Sequence, residues 1–452
     1  MLEKIRSWWV LDEAAETQTA DNPFSPVTPE QRRDTVPMLT LAFGWGFLIT
    51  GLITGGQLGA GVTFWPDLIF ASFIGNFINF IIGGLVAYMG YKTACNSGLL
   101  FQFIYGRIGV FLPVIFLALL TTGWQAIVVG AFGFAWAQDF NSLTFYVVAI
   151  FGGLLFTATT YYGVKGIERV SVPSVIILVG VGIYAIYVNI DKAGGYIPFL
   201  DISEDISSKN PISFASAVNL VVGAWIVGAV VMSEYTRFAK KAWVALAIPF
   251  IVMIIAQWFL QVVGALGGVV SGSADFTTTL LQQGMIIGGI GLIGMSLALW
   301  TSGDANLYLP VIQTAAVFKK PKRVMVIIWG LMGTVLGLGL YQYFLDWIMI
   351  LAALVPPLIG PLIVDYYIIN KGNYDTSLLK VLHSWNPAAI ISYLAGAYFA
   401  YRVTYGLTKV PDSLIPSISG LLVSMLVYFL IYLVCLILNK KIGYLGIIQK
   451  ED

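Results

Sequence analysis

The densest polar cluster of this apolar chain lies at residues 297–310, LALWTSGDANLYLP. Thr301, Ser302, Asp304 and Asn306 fall within six consecutive positions. The adjacent hydroxyls of Thr301 and Ser302 are hard oxygen ligands of the kind a small cation takes. The plainer alternative is that both bond back to their own helix. Asp304 is an ionisable group inside an apolar run, placed there for function or as a hydrogen-bonded support. Two tryptophans offer a different chemistry. Trp124, in TTGWQAIVVG, and Trp225, in NLVVGAWIVGAVVMSE, stand in the middle of apolar runs. Membrane tryptophans gather at the interfaces. A mid-run pair therefore suits stacking on the faces of a planar ligand, with core packing as the alternative. Thr121, Thr122 and Gln125 add hydrogen-bonding groups beside Trp124.

The stretch that must position these groups is LAFGWGFLITGLITGGQLGAG, residues 41–61. It has no charge, yet seven of its 21 residues are glycine. Each glycine inside a helix costs roughly 0.5–1 kcal/mol relative to alanine. A span that only had to cross lipid would use leucine and valine. Glycine at this density permits either close helix packing or local unwinding. Unwound backbone in hydrocarbon survives only where it lines a cavity or is buried in protein, and transporters bind ions and substrates at such breaks. Carbonyls freed by such unwinding, added to Thr301 and Ser302, would complete a small-cation site that no single helix supplies.

Composition sets the class. Of 452 residues, 58% are hydrophobic and 10% charged, where a soluble domain has about 25% charged. Apolar runs of 18 or more residues recur along the length, so the chain reads as an all-α polytopic membrane protein with the lipid bilayer as its surroundings. A net charge of +1 implies no nucleic-acid partner, and no obligatory protein partner is evident. Cys95 and Cys435 lie far apart and His383 is the only histidine. No metal cluster or nucleophile–base pair is therefore expected, which argues against an intramembrane enzyme. A channel would repeat a polar ring around a pore, and none is found. The first apolar run begins near Val36 after Arg32 and Arg33, unlike a cleavable signal peptide.

Twelve spans are expected at roughly 37–60, 68–91, 109–136, 143–164, 168–190, 213–237, 242–270, 284–309, 323–341, 343–369, 387–405 and 415–438. With the N-terminus inside, 20 lysines and arginines fall on the cytoplasmic side and four outside. That follows the positive-inside rule and places both termini in the cytoplasm. Spans 1 and 6 both carry small residues mid-helix, including Gly223, Ala224, Gly228 and Ala229 in span 6. Standing five apart, they suit a five-plus-five inverted repeat. The organisation expected is a tail over 1–35, a first repeat over 36–190, a second over 212–369, two further spans over 387–438 and a tail over 439–452. Glu234 and Arg237 suit a local ion pair. Asp365 is expected at an interface or gate, and Asn76 and Asn79 between helices. Pro356, Pro357 and Pro361 should kink or break span 10.

Seven motifs in one order resemble the nucleobase:cation symporter-1 family, nearest to bacterial cytosine permeases. They are TGGQLGAG (54–61), IGNFINFIIGGLVAYMGYKT (74–93), GW (123–124), VVGAWI (221–226), EYTRF (234–238), WTSGDANLY (300–308) and AALVPPLIGPLIVDYYI (352–368). The resemblance implies the LeuT-type fold, with twelve helices, ten in inverted repeats and helices 1 and 6 broken. It implies a plasma-membrane (inner-membrane) importer of a nucleobase-like small molecule. A planar base would stack against Trp124 and Trp225. Sodium, the coupling ion, would take carbonyls near Gly44 and Phe47 and the hydroxyls of Thr301 and Ser302, with a proton as the alternative. Substrate contacts would fall on Leu48, Thr121, Trp124, Gln125, Ala224, Trp225, Ala298 and Gly303. At four of these the chain departs from cytosine permeases. Thr121 replaces a glutamine, Ala224 a serine, and Ala298 and Gly303 asparagines, and Val227 replaces a second serine. A buried polar edge left unmatched costs about 1–3 kcal/mol. The expected ligand is therefore a planar nitrogen heterocycle that need not be cytosine: another nucleobase, a hydantoin or a substituted pyrimidine such as a vitamin precursor.

Overall fold

The computed structural model describes residues 24–161, 164–271, 275–282 and 284–438. The tail expected over 439–452 and most of that over 1–35 lie outside the described residues. Regular structure is helical, and the described residues show no strand beyond one isolated bridge between Arg33 and Ala239. In chain order the helices are α1 Thr35–Gly46, α2 Thr50–Gly59, α3 Phe64–Thr93, α4 Ser97–Tyr105, α5 Phe111–Ala137 and α6 Leu143–Tyr161. They continue with α7 Val164–Lys192, α8 Tyr196–Lys209, α9 Phe214–Thr236, α10 Ala242–Ser271, α11 Phe276–Leu281 and α12 Met285–Phe318. The last four are α13 Lys322–Gly337, α14 Leu340–Ile369, α15 Pro387–Thr404 and α16 Pro416–Ile437.

Among the described residues, nine helices are long and apolar enough to cross a bilayer, and α1 with α2 makes a tenth. This is a multi-pass membrane protein. Helices also stand at the ninth and eleventh expected spans, but α13 has only 16 residues, against the roughly 20 a hydrocarbon core requires. The 18 residues of α15 include three tyrosines and Arg402.

The glycine-rich first span does two things in succession. It breaks at residues 47–49, where α1 and α2 meet at 41°. Phe47 leaves the helical region at φ −84°, ψ 56° while its amide still closes a last turn on Phe43. From Gly51 to Gly59 the glycines serve packing instead. A Cβ at Gly59 would stand 2.6 Å from the carbonyl oxygen of Ala265 on α10, and one at Gly268 would stand 2.7 Å from that of Gly56. Helices α2 and α10 thus approach backbone to backbone, as small residues allow in a membrane.

The sixth span is interrupted beyond its small residues. Helix α9 runs unbroken past Gly223, Trp225 and Gly228, and its helical pattern is interrupted only at Val231 and Met232. Its small residues are taken up by contacts: a Cβ at Gly223 would meet the carbonyl of Ile348 on α14 at 2.5 Å, and Gly228 lies under the Trp225 ring. The prolines of α14 act as expected. The helix is interrupted at Val355. Pro361 has no amide to give the carbonyl of Pro357, and Ser424 Oγ of α16 donates to it at 2.8 Å.

Candidate functional site

The break in the first span, α5, α9 and α12 converge on one pocket. Its walls are Trp45, Leu48 and Thr50 at the break, Thr121 and Trp124 on α5, Ala224, Trp225, Val227 and Gly228 on α9, and Asn306 and Leu309 on α12. About 350 Å³ of non-atom space lies between these walls, the open mouth included. Trp124 and Trp225, 101 positions apart in sequence, line the same cavity.

Each indole is braced at its edge by another ring. Trp124 meets Phe344 with centroids 5.9 Å apart at 71°, and Trp225 meets Trp45 at 5.2 Å and 70°. Trp45 in turn lies 4.2 Å from Tyr235. Such edge contacts orient an aromatic wall. Two polar atoms of the lining residues, Trp225 Nε1 and Asn306 Nδ2, are buried and have no hydrogen-bond partner among the described residues. Both are donors, and buried donors call for an acceptor. The hydroxyl of Thr121 is turned to its own helix, 2.9 Å from the Leu117 carbonyl.

Beside this pocket the break meets α12. The Ile49 amide donates to Ser302 Oγ at 3.1 Å instead of continuing the helix. The Thr301 hydroxyl donates to the Ala298 carbonyl at 3.0 Å, the back-bond considered above. A hydroxyl carries one proton and two lone pairs, so both oxygens keep a lone pair to offer a cation. The carbonyls of Gly44 and Phe47 accept no hydrogen bond among the described residues. Each of these four oxygens thus keeps at least one lone pair unused among the described residues.

Three expected substrate contacts lie outside the pocket wall. Gln125 is fully buried against Gly333 of α13. Ala298 is fully buried and its carbonyl holds Thr301. Gly303 faces α6, where a Cβ would run into the Phe156 ring. The acidic residues are also engaged elsewhere. Asp304 accepts from Thr159 at 2.6 Å and from Thr160 at 3.4 Å. Glu234 accepts from the Ser97 hydroxyl and amide, and the Arg237 guanidinium donates to the Glu234 carbonyl. Asp365 accepts from Asn370, Tyr374 and Tyr428. Asn76 and Asn79 join helices as expected, Asn76 to Gln261 at 2.7 Å.

Sequence reasoning missed Trp45 and Asn306 as pocket residues. Both carried a usable signal. Trp45 is a mid-run tryptophan like the other two, and Asn306 stands four residues after Ser302, on the same helix face.

A family described as permeases for cytosine/purines, uracil, thiamine and allantoin matches residues 26–434. The cytosine permease of Escherichia coli (strain K12) is 29% identical over 382 residues, covering 83% of this chain and 88% of the relative. The hydantoin permease of Microbacterium maritypicum is 24% identical, covering 91% and 89%. Among solved structures, Mhp1, a nucleobase-cation-symport-1 family transporter in a closed conformation with bromovinylhydantoin bound, gives a TM-score of 0.76. It is 19% identical and the match covers 93% of this chain and 97% of that one. A Na+-coupled sialic acid symporter gives 0.60 at 13% identity, covering 92% and 93%. At these identities the structural likeness speaks for the fold alone.

Proposed function

The chain belongs to the family of permeases for cytosine/purines, uracil, thiamine and allantoin, the nucleobase:cation symporter-1 family, and on that premise we propose that it is a sodium-coupled symporter. Its substrate is a nucleobase or related planar nitrogen heterocycle, carried inward by alternating access. The proposed architecture is twelve spans, ten of them in two inverted repeats, with both termini cytoplasmic in the inner membrane. The observation that carries the reading is one pocket walled by Trp124 and Trp225 and set directly against the broken first span. The tryptophans stack on the faces of the ring. Asn306 Nδ2 and Trp225 Nε1, both orphaned donors, meet carbonyl or imine acceptors on its edge. Sodium is a co-substrate that takes Thr301, Ser302 and the carbonyls of Gly44 and Phe47. Leu48, Thr121 and Ala224 shape the remaining wall. With alanine at 224 and a back-bonded threonine at 121, that wall offers few partners to the polar edge of cytosine.

Uptake into proteoliposomes tests this. Labelled heterocycle should accumulate with an inward sodium gradient and saturate. A new chemical product would indicate an enzyme, and unsaturable uptake without coupling a channel. A thermal-shift screen against nucleobases and hydantoins, with and without sodium, identifies the ligand. A ligand at 100 times its dissociation constant stabilises the folded state by about 2.7 kcal/mol. A second reading, proton coupling with a hydantoin or substituted pyrimidine as cargo, is favoured by the fully buried Asp304 carboxylate on the helix of the hydroxyl pair.

A further inference from the structure

Two buried amide side chains reach across to the backbone of two of the spans that form the pocket. On α10, Gln257 Nε2 donates to the Gly46 carbonyl at 2.6 Å and to the Leu48 carbonyl at 3.4 Å. On α3, Asn79 Nδ2 donates to the carbonyls of Val221 and Val222 on α9, at 3.2 and 3.1 Å. Both residues are fully buried. Both helices have 30 residues, and each amide stands fifteen residues after the first. The two amides thus stand at like positions along their helices.

Their work differs because the spans they hold differ. Val221 and Val222 lie within continuous helix, so the bonds from Asn79 are added to helical ones. Gly46 is the last residue of α1, and no backbone amide takes its carbonyl. Gln257 supplies the only partner that carbonyl has among the described residues. A carbonyl without a donor is expensive in hydrocarbon, so the amide makes the break tenable. The fit is close: a Cβ at Gly51 would stand 2.8 Å from Gln257 Oε1, so the glycine opens the space the amide fills. The Gly46 carbonyl lies between those of Gly44 and Phe47, the two left without partners.

We propose that Gln257 is a positioning residue that fixes the broken backbone at residues 46–48 so that the neighbouring carbonyls face the coupling cation. This rests on the sodium-symporter reading above. Asn79, at the like position on α3, steadies the helix carrying Trp225 and has no part in the ion site.

The test compares full-length wild type with Gln257→Met, which keeps volume and loses the donor, and with Asn79→Leu. Gln257→Leu, which also lacks a donor, serves if the methionine variant does not fold. Ligand titrations across a sodium series read the half-saturating sodium concentration, and hydrogen exchange by mass spectrometry reads the peptide over residues 44–53. The loss of one buried hydrogen bond corresponds to roughly a tenfold change. Gln257→Met should raise half-saturating sodium by about that factor and speed exchange over 44–53, with substrate affinity at saturating sodium retained. Asn79→Leu should leave half-saturating sodium unchanged. Wild-type sodium dependence in Gln257→Met, or equal exchange over 44–53, overturns the proposal. Loss of sodium dependence in Asn79→Leu to the same extent also overturns it, by making both amides general packing. Wild type indifferent to sodium sinks the coupling reading itself, which the exchange measurement distinguishes from a failure at Gln257.

Discussion

Replacing both Thr301 and Ser302 by alanine should uncouple sodium from substrate, and the two positions should contribute unequally. Ser302 Oγ accepts the Ile49 amide at the break. Alanine there leaves a buried donor unsatisfied, at about 1–3 kcal/mol. At 1.4 kcal/mol per factor of ten, sodium-dependent substrate binding weakens roughly 5- to 150-fold. Thr301 donates to the Ala298 carbonyl inside its own helix. Its removal orphans no amide, so the structural part of its loss is below about 1 kcal/mol. Ser302→Ala should therefore be the more damaging single change, and the double variant should bind substrate weakly and equally in sodium and choline. The stacking surfaces of Trp124 and Trp225 are untouched. By linkage, the factor by which sodium tightens substrate equals the factor by which substrate tightens sodium. Titrations of wild type and variants in both salts, followed by calorimetry, measure these factors. A double variant with the full sodium response would refute the ion-site reasoning. A wild type that binds equally in both salts would shift the account to proton coupling through Asp304 or Glu234.

Trp124→Ala or Trp225→Ala should weaken ligand binding by about 1–3 kcal/mol, the scale of stacking on a base, while membrane insertion survives; wild-type affinity in both would remove them from the site. Thr121→Gln should shift preference toward cytosine, since residue 121 lines the pocket, whereas Ala298→Asn should not, being fully buried outside it; the ratio of cytosine to native-ligand affinity decides. Gly303→Asn and Gly55→Ala should each destabilise the fold by about 1–3 kcal/mol through overpacking, against Phe156 and the Gln261 backbone respectively, seen as lost monodisperse yield in detergent. Cys95 should resist maleimide at pH 7 in the folded protein, because burial pushes its thiol up to about 12 and the thiolate is the reactive form; rapid labelling would contradict that burial.

The sequence by itself determined the membrane class and the placing of most spans, and it drew attention to the hydroxyl pair. These rest on local quantities: long apolar runs, glycine density and adjacent side-chain oxygens. It also singled out Trp124 and Trp225, because a tryptophan away from the interface stands out in any apolar run. What it left open was how each glycine is used. Gly46 ends a helix and Gly59 meets a carbonyl of α10, and the two look alike until the partner helix is in place. The same holds for Gly223 in α9, which is occupied by packing on Ile348 while the helix is interrupted further on, at Val231 and Met232. Only the tertiary structure turned Gly303 and Ala298 away from the pocket and Asn306 toward it. Rotation of a helix about its axis is set by what packs on its other faces, here Phe156 behind Gly303. The part of Gln257 was invisible for the same reason. Its amide acts on a carbonyl 211 positions away, and a backbone acceptor leaves no mark on the residue type that carries it.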